Sequence, residues 1–261
     1  MSVPRGTATV KGATPTLKNK IDFEKPVRPK RTDFSTEEEL QKARAKYKED
    51  VEKYEEKLDV WAKEQVPKTT MSKKDFGVWA TKHDVSIYGS IDGLDESVLG
   101  SWSKRFEKLS SDFPQVQEYY QKTLGRKFEV SFNPSSTFNA EGSHGMTFGG
   151  SFADMTSGVK DFGSGIAEGL FTKGTGTIDA LYDHEFGHNL DSAIRFGKIQ
   201  TTEQRVKYSN DIVSSLYGKK GMSEYATTNA DELFAEGFSA WYGGEKTEFA
   251  ESFGELLKRW L

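Results

Sequence analysis

The sequence predicts an α+β protein that is mainly helical and has a small sheet near the middle of the chain. Apolar residues recur three or four positions apart over long stretches at both ends of the 261 residues, which is typical of amphipathic helices. Between these stretches, residues 128–132 alternate apolar and polar side chains, as a half-buried strand does, and Asn133-Pro134 ends the pattern. A second strand is expected at Met146–Phe152, inside a glycine-rich segment.

Residues 1–34 are predicted to form a disordered, basic tail. They are rich in Lys, Pro, Thr and Gly, carry eight Lys or Arg against three acids, and lack periodic apolar residues. A flexible basic arm could dock on an acidic partner. We favour the simpler interpretation, which is a solvated tail without a partner.

A long amphipathic helix is predicted after the tail. It is expected to begin at Ser35-Thr36-Glu37-Glu38, which has the spacing of a capping box, and to end at Pro67. One helix cannot bury its apolar stripe alone, so the stripe must pack on another surface. That surface is another helix, the rest of this chain or a second copy of it, and docking on a larger assembly also stays open. The stripe, which Arg44 interrupts, consists of Leu40, Tyr47, Val51, Tyr54, Leu58 and Trp61.

The remaining pattern divides the chain into a helical N-terminal region, residues 35–95, and a main domain, residues 96–261. In the first region, residues 69–95 look irregular apart from a short helix around Lys73–Lys82. In the main domain, a loop is expected from Gly163 to Gly169. Helices are predicted from Glu96, from Pro114 to Gly125, and over residues 178–196, 202–217, 229–242 and 246–261.

Composition and charge exclude several classes of protein. The chain carries 36 Lys and Arg against 40 Asp and Glu, which argues against a nucleic-acid-binding protein. It has no run of 18 apolar residues, so no membrane span is expected, and its first residues lack the apolar core of a secretory signal. Synthesis in the cytoplasm is therefore expected. The final location stays open, and it includes a virion or export without a cleaved signal.

The segment His184-Glu185-Phe186-Gly187-His188 carries the clearest chemical signal. Residues four apart lie on one face of a helix, so both imidazoles can bind one metal ion. Glu185 can then act as a general base on the attacking water of a zinc hydrolase. The chain has no cysteine, so a metal must be held by histidines, carboxylates and water. The alternative is a surface helix that carries two incidental histidines.

A third metal ligand must come from elsewhere, because a catalytic zinc ion usually takes three protein ligands. Asp191 follows on the same helix, but one helix seldom supplies three ligands, so we expect it to support the site or to be a surface acid. Glu232 and Glu236 lie four apart among apolar residues, where carboxylates are costly to bury unless something satisfies them. Zinc and its histidines would satisfy both. Alternatively, Glu232 completes a capping box with Asn229, which leaves Glu236 unexplained.

Residues 178–241, about a quarter of the chain, resemble the catalytic domain of anthrax lethal factor and related gluzincin metalloproteases. The shared pattern is His-Glu-Phe-Gly-His followed by Tyr-x-x-Thr-Asn-x-x-Glu-x-Phe-Ala-Glu. The segment is equally similar to metalloprotease segments of phage head and virion-associated proteins. The resemblance implies a zincin-like domain with a small mixed sheet, an active-site helix and C-terminal helices. It also implies that His184, His188 and Glu232 bind Zn²⁺ and that Glu236 orients a histidine.

The activity that the resemblance implies is a zinc-dependent endopeptidase. Glu185 would be the general base, and Tyr225 would stabilise the transition state. The partner would be a protein or peptide substrate, whose extended chain could pair with the strand at Met146–Phe152. Two alternatives stay open. One is a structural or assembly protein of a virion type that retains the domain for binding, and the other is a secreted toxin or effector protease.

Overall fold

The computed structural model describes residues 23–135 and 145–261, which form helices around a three-stranded sheet. The fold class is therefore a mixture of α and β elements that is mostly helical, as the sequence predicts. None of the helices within the described ranges is long and apolar enough to cross a membrane. The helices are α1 (Glu37–Gln65), α2 (Lys73–Lys82), α3 (Glu96–Asp112), α4 (Gln115–Glu118), α5 (Met155–Ala167), α6 (Asp179–Ser192), α7 (Thr202–Leu216), α8 (Ala230–Tyr242) and α9 (Glu248–Trp260).

The sheet has the strand order β1 (Val85–Tyr88), β2 (Phe128–Asn133) and β3 (Gly145–Gly149). Both strand pairs are parallel, so the expected mixed sheet is wrong for the described residues. The helices α3 and α4 lie between β1 and β2 in the chain and provide the crossover that a parallel pair requires. The sequence did not predict β1 because four residues are too few to show an alternating pattern. The strand β3 also ends earlier than expected, since a 3₁₀ turn begins at Gly150.

The long helix α1 packs on its own chain. Tyr54, Leu58 and Trp61 belong to the same buried cluster as residues of the C-terminal helices, so residue 95 does not separate two cores. The ring of Trp61 covers Gly163 of α5, where a side chain would collide with it. The capping box of α1 lies one residue later than the predicted one, which spans Ser35 to Glu38. The hydroxyl of Thr36 accepts a hydrogen bond from the backbone N–H of Glu39. Docking of α1 on a larger assembly stays a prediction.

Residues 155–167 form α5, where a loop was expected to begin at Gly163. Asp154 caps this helix by accepting a hydrogen bond from the N–H of Thr156. The helix contains three glycines, which lower its helix propensity, and for this reason the sequence predicted a loop. Tertiary packing explains all three, because side chains at Gly158, Gly163 and Gly165 would collide with Phe152, Trp61 and Phe171, respectively.

Residues 23–34 run along the surface of the domain and precede α1. The ring of Phe23 packs edge-on against Tyr54 at 5.8 Å between centroids. The ammonium group of Lys25 lies 2.6 Å from the carboxylate of Glu168, just after α5. This part of the expected basic tail therefore has contacts with the domain, whereas residues 1–22 of that tail lie outside the described residues.

Candidate metal centre

The helix α6 presents the motif histidines toward α8. Its N-terminal end is held by Arg105 of α3, whose Nε donates a 2.7 Å hydrogen bond to the buried carboxylate of Asp183. Near its middle, Gly187 faces Ala235 of α8, and a Cβ atom at Gly187 would lie only 3.0 Å from the Ala235 Cα. The glycine of the motif thus lets the two helix backbones approach closely. This approach brings Glu232, in the first turn of α8, to the two histidines.

Three donor atoms converge at this helix crossing. The Nε2 atoms of His184 and His188 are 3.2 Å apart, and Glu232 Oε2 lies 3.2 Å from the first and 3.3 Å from the second. In a tetrahedral zinc site with bonds of about 2.0–2.1 Å, two ligand atoms are about 3.3–3.4 Å apart. The triangle therefore has the size that one zinc ion needs, and two histidines with a glutamate are a known ligand set of catalytic zinc.

The charges at the triangle favour a cation. Burial alone would lower the pKa of His184, but the carboxylates of Glu232 and Glu236 overcome this effect and raise the pKa. Burial opposes ionisation of Glu232, yet its contacts with the two histidines hold its pKa well below the usual value. Glu232 Oε2 is buried and accepts no well-formed hydrogen bond from the described residues. These residues thus fit a divalent ion as the group that satisfies them.

Glu236 lies behind His184, one turn after Glu232 on α8. Its Oε1 is 2.8 Å from His184 Nδ1, on the opposite side of the ring from the triangle. Its Oε2 accepts hydrogen bonds from the N–H of Thr172 at 2.7 Å and from the hydroxyl of Ser223 at 2.6 Å. Only 2% of Glu236 is exposed, so these contacts account for its burial. The carboxylate is therefore in ion-pair contact with the imidazole, although Nδ1 forms no well-aligned hydrogen bond within the described residues, and its role in orienting the ring stays a prediction.

Glu185 lies beside the triangle. Its Oε1 is 4.0 Å from His184 Nε2, and its Oε2 is buried without a hydrogen bond from the described residues. Burial raises the pKa of this carboxyl to about 7. A carboxylate that is close to the donor atoms and free to accept a proton has the properties of a general base.

Tyr225 also lies next to the triangle. Its hydroxyl donates to Glu232 Oε1 at 3.4 Å, and its ring centroid lies 5.9 Å from that of His184. Burial and then the carboxylate of Glu232 raise its pKa to about 12, which keeps the phenol a hydrogen-bond donor at neutral pH. With 38% of its surface exposed, Tyr225 can meet a bound molecule.

Asp191 does not join this group. Its carboxylate accepts a 2.8 Å hydrogen bond from the hydroxyl of Tyr208 and lies 2.8 Å from Arg195. It is buried, and burial raises its pKa to about 6. Three residues after His188, the side chain is turned away from the ion site and toward α7. Asp191 therefore supports the end of α6 rather than the metal ligands.

Sequence reasoning missed several residues that support the site. Asn189 is buried, donates to the backbone oxygens of Glu185 and Gly145 at 2.8 and 3.2 Å, and so connects α6 to the start of β3. Its side-chain oxygen accepts from the hydroxyl of Tyr120. The position of Asn189 next to a motif histidine could have indicated a supporting role, because a buried amide needs hydrogen-bond partners. Thr172 and Ser223 gave no signal, since their partner Glu236 is distant in sequence.

Replacing Gly187 with Leu is expected to separate α6 from α8 and so to weaken metal binding. Overpacking of a buried contact costs about 1–3 kcal/mol of stability. Urea unfolding in the presence of a chelator measures this cost, and competition with a chromogenic chelator measures zinc affinity. The matched control is Gly77→Leu in α2, where an added Cβ meets no described atom within 4 Å. Equal zinc affinity of the two variants would contradict the role of Gly187.

Comparisons of the chain with protein-family models, with curated proteins and with solved structures gave no match.

Proposed function

We propose that this protein is a zinc endopeptidase of the gluzincin type, with a zincin-like domain similar to that of anthrax lethal factor. The observation that carries the proposal is the triangle of His184, His188 and Glu232 donor atoms, with Glu185 beside it and its buried Oε2 without a hydrogen bond from the described residues. A structural metal site needs ligands but no free base. The base at this position therefore favours catalysis over simple metal binding.

The chemistry divides between the metal and the side chains around it. Bound zinc would act as a Lewis acid, which makes water nucleophilic near neutral pH and polarises a carbonyl group. Glu185 accepts the proton of the water that attacks the peptide carbonyl, and it later delivers this proton to the leaving amine. The hydroxyl of Tyr225 donates a hydrogen bond to the oxyanion that develops on the former carbonyl oxygen. Glu236 holds His184 in place throughout.

The substrate that fits this site best is an extended polypeptide. The strand β3 pairs with a described strand only on its β2 side, and we infer that an extended peptide pairs with its other edge through main-chain hydrogen bonds. Asn189 bonds the first residue of β3, Gly145, and thereby connects this edge to the motif helix. Pairing through the main chain makes little demand on the substrate sequence.

New protein N-termini in a lysate provide the direct test of this proposal. The lysate is treated with the wild-type protein or with Glu185→Gln, and the N-termini are compared by mass spectrometry. We expect termini that appear only with the wild type and that share a pattern around the cleaved bond. Identical sets of termini, together with equal biological activity of both proteins, would favour the assembly-protein alternative. The toxin or effector alternative differs in destination and substrate rather than in chemistry, so the neighbouring genes or the route of release of the protein would separate it from the others.

A further inference from the structure

Ser223 precedes the turn that carries Tyr225, and its hydroxyl makes two hydrogen bonds in different directions. The hydroxyl donates to Glu236 Oε2 at 2.6 Å, and the same oxygen accepts from the N–H of Ala226 at 3.2 Å. Only 7% of Ser223 is exposed, so water does not compete readily for these bonds. One side chain therefore connects the residue behind His184 to the turn that carries Tyr225.

The hydrogen bond from the Ser223 hydroxyl restricts the orientation of the Glu236 carboxylate. Its Oε2 is held by two donors, the hydroxyl of Ser223 and the backbone N–H of Thr172. A carboxylate with one oxygen fixed twice has little freedom to rotate, so its Oε1 stays in ion-pair contact with His184 Nδ1, at 2.8 Å, where a small rotation of the ring completes the hydrogen bond. A partner at Nδ1 sets the tautomer and the direction of the ring, and with them the lone pair that Nε2 offers to a metal.

The hydrogen bond from the Ala226 N–H to the Ser223 hydroxyl restricts the backbone conformation of the turn of residues 223–226. The N–H groups of Glu224 and Tyr225 donate to the carbonyl oxygens of Gly169 and Leu170 at 3.1 and 2.9 Å. The 169–172 segment reaches Glu236 through Thr172, and the 223–226 turn reaches it through Ser223. The ring of Phe171 also packs edge-on against Tyr225, at 5.5 Å. The backbone of Tyr225 is thus fixed relative to the same carboxylate that orients His184.

We propose that Ser223 is a positioning residue for both sides of the reaction: through Glu236 it sets the metal ligand His184, and through the Ala226 N–H it sets the hydroxyl of Tyr225. This inference rests on the proposed function for its catalytic half and on the metal triangle for its binding half. Ser223 is not one of the three residues whose donor atoms form the triangle. Its removal therefore acts through Glu236 and the Tyr225 turn.

The test compares Ser223→Ala with Ser239→Ala as a matched control. Ser239 is also a buried serine near α6, but its hydroxyl donates to the backbone oxygen of Ala180 and not to Glu236. Zinc affinity is measured without substrate, by competition with a chromogenic chelator. Loss of an outer partner of a metal ligand typically costs 10- to 100-fold in affinity or activity, and Ser223 holds that partner, Glu236, so we expect zinc binding to weaken about 10-fold, the lower end of this range, in Ser223→Ala. Ser239→Ala should bind zinc like the wild type.

The kinetic readout uses the peptide that the N-terminus comparison identifies. We expect kcat to fall about 10-fold or more in Ser223→Ala while KM changes less than about twofold, because Tyr225 acts on the oxyanion rather than on the bound peptide. Ser223→Thr keeps a hydroxyl and should recover most of both losses. If Ser223→Ala does not fold, Ser223→Cys, whose thiol is only a weak donor, makes the same comparison.

The outcomes separate this inference from the proposed function. Unchanged zinc affinity and kcat in the Ala or Cys variant would overturn the role of Ser223, even if the wild type cleaves peptides. A protein that binds zinc through this network, with weaker binding in the variant, but cleaves nothing would refute the peptidase and support the positioning of His184. A wild type that binds no zinc would overturn both.

Discussion

Replacing Glu185 with Gln is expected to lower kcat/KM for peptide hydrolysis by about 10²- to 10⁴-fold, the usual contribution of a general base. Gln has the size of Glu but cannot accept the proton of the attacking water. Zinc should remain bound, because Glu185 Oε1 is 4.0 Å from His184 Nε2 and the triangle does not include it. The measurement is cleavage of the identified peptide at matched zinc occupancy.

An exposed acid beside Tyr225 provides the control for this experiment. Glu224→Gln removes the same charge from the same region but leaves Glu185 in place, so it should keep nearly full activity. A Glu185→Gln protein that holds zinc and cleaves as fast as Glu224→Gln would rule out Glu185 as the base. The triangle would then be a binding site, and the assembly-protein alternative would gain support.

Glu232→Gln is expected to weaken zinc binding more than the loss of an outer partner does, which means by more than about 100-fold. The variant lacks the anionic oxygen that lies within 3.3 Å of both histidine nitrogens. It leaves two imidazoles, which is too few protein ligands for a catalytic zinc site. Peptide cleavage should disappear at low zinc concentration. Direct binding titration of the metal-free protein measures the loss.

Asp231→Asn is the matched control, because both acids lie in the first turn of α8, near the positive end of the helix dipole. Asp231 is 56% exposed in its side chain and pairs with Arg195 at the surface. Its replacement should leave zinc affinity within about twofold of the wild type, since surface ion pairs contribute little. Equal losses in Asp231→Asn and Glu232→Gln would show that the effect comes from the helix and not from a ligand.

The helices could be predicted well from the sequence because their caps and stops are local. Thr201 and Asn229 cap α7 and α8 through their own side chains, and the pattern of apolar residues gave both helices within two residues. The misses have physical causes. The strand β1 depends on pairing with β2, about 40 residues away, and α5 depends on large side chains that fill the space beside its glycines.

Candidate site residues could be predicted from the sequence where two side chains of the same type lie one helical turn apart. The spacing of His184 and His188, and that of Glu232 and Glu236, reflects the turn of the helix, so sequence was sufficient to pair them. The closeness of the two helices was not predictable, because it depends on Gly187 meeting Ala235 across the crossing. Ser223 does not lie one helical turn from Glu236 in the sequence, so only the fold shows that the two side chains are in contact.

The most direct test of the central claim is a crystal structure of the protein grown with zinc, with anomalous diffraction data collected at the zinc edge. We expect one zinc ion per chain, bound by His184 Nε2, His188 Nε2 and a carboxylate oxygen of Glu232. Zinc content measured in solution should also be one per chain. An anomalous map without a peak between these three side chains, or a structure in which Glu232 lies far from both imidazoles, would contradict the account.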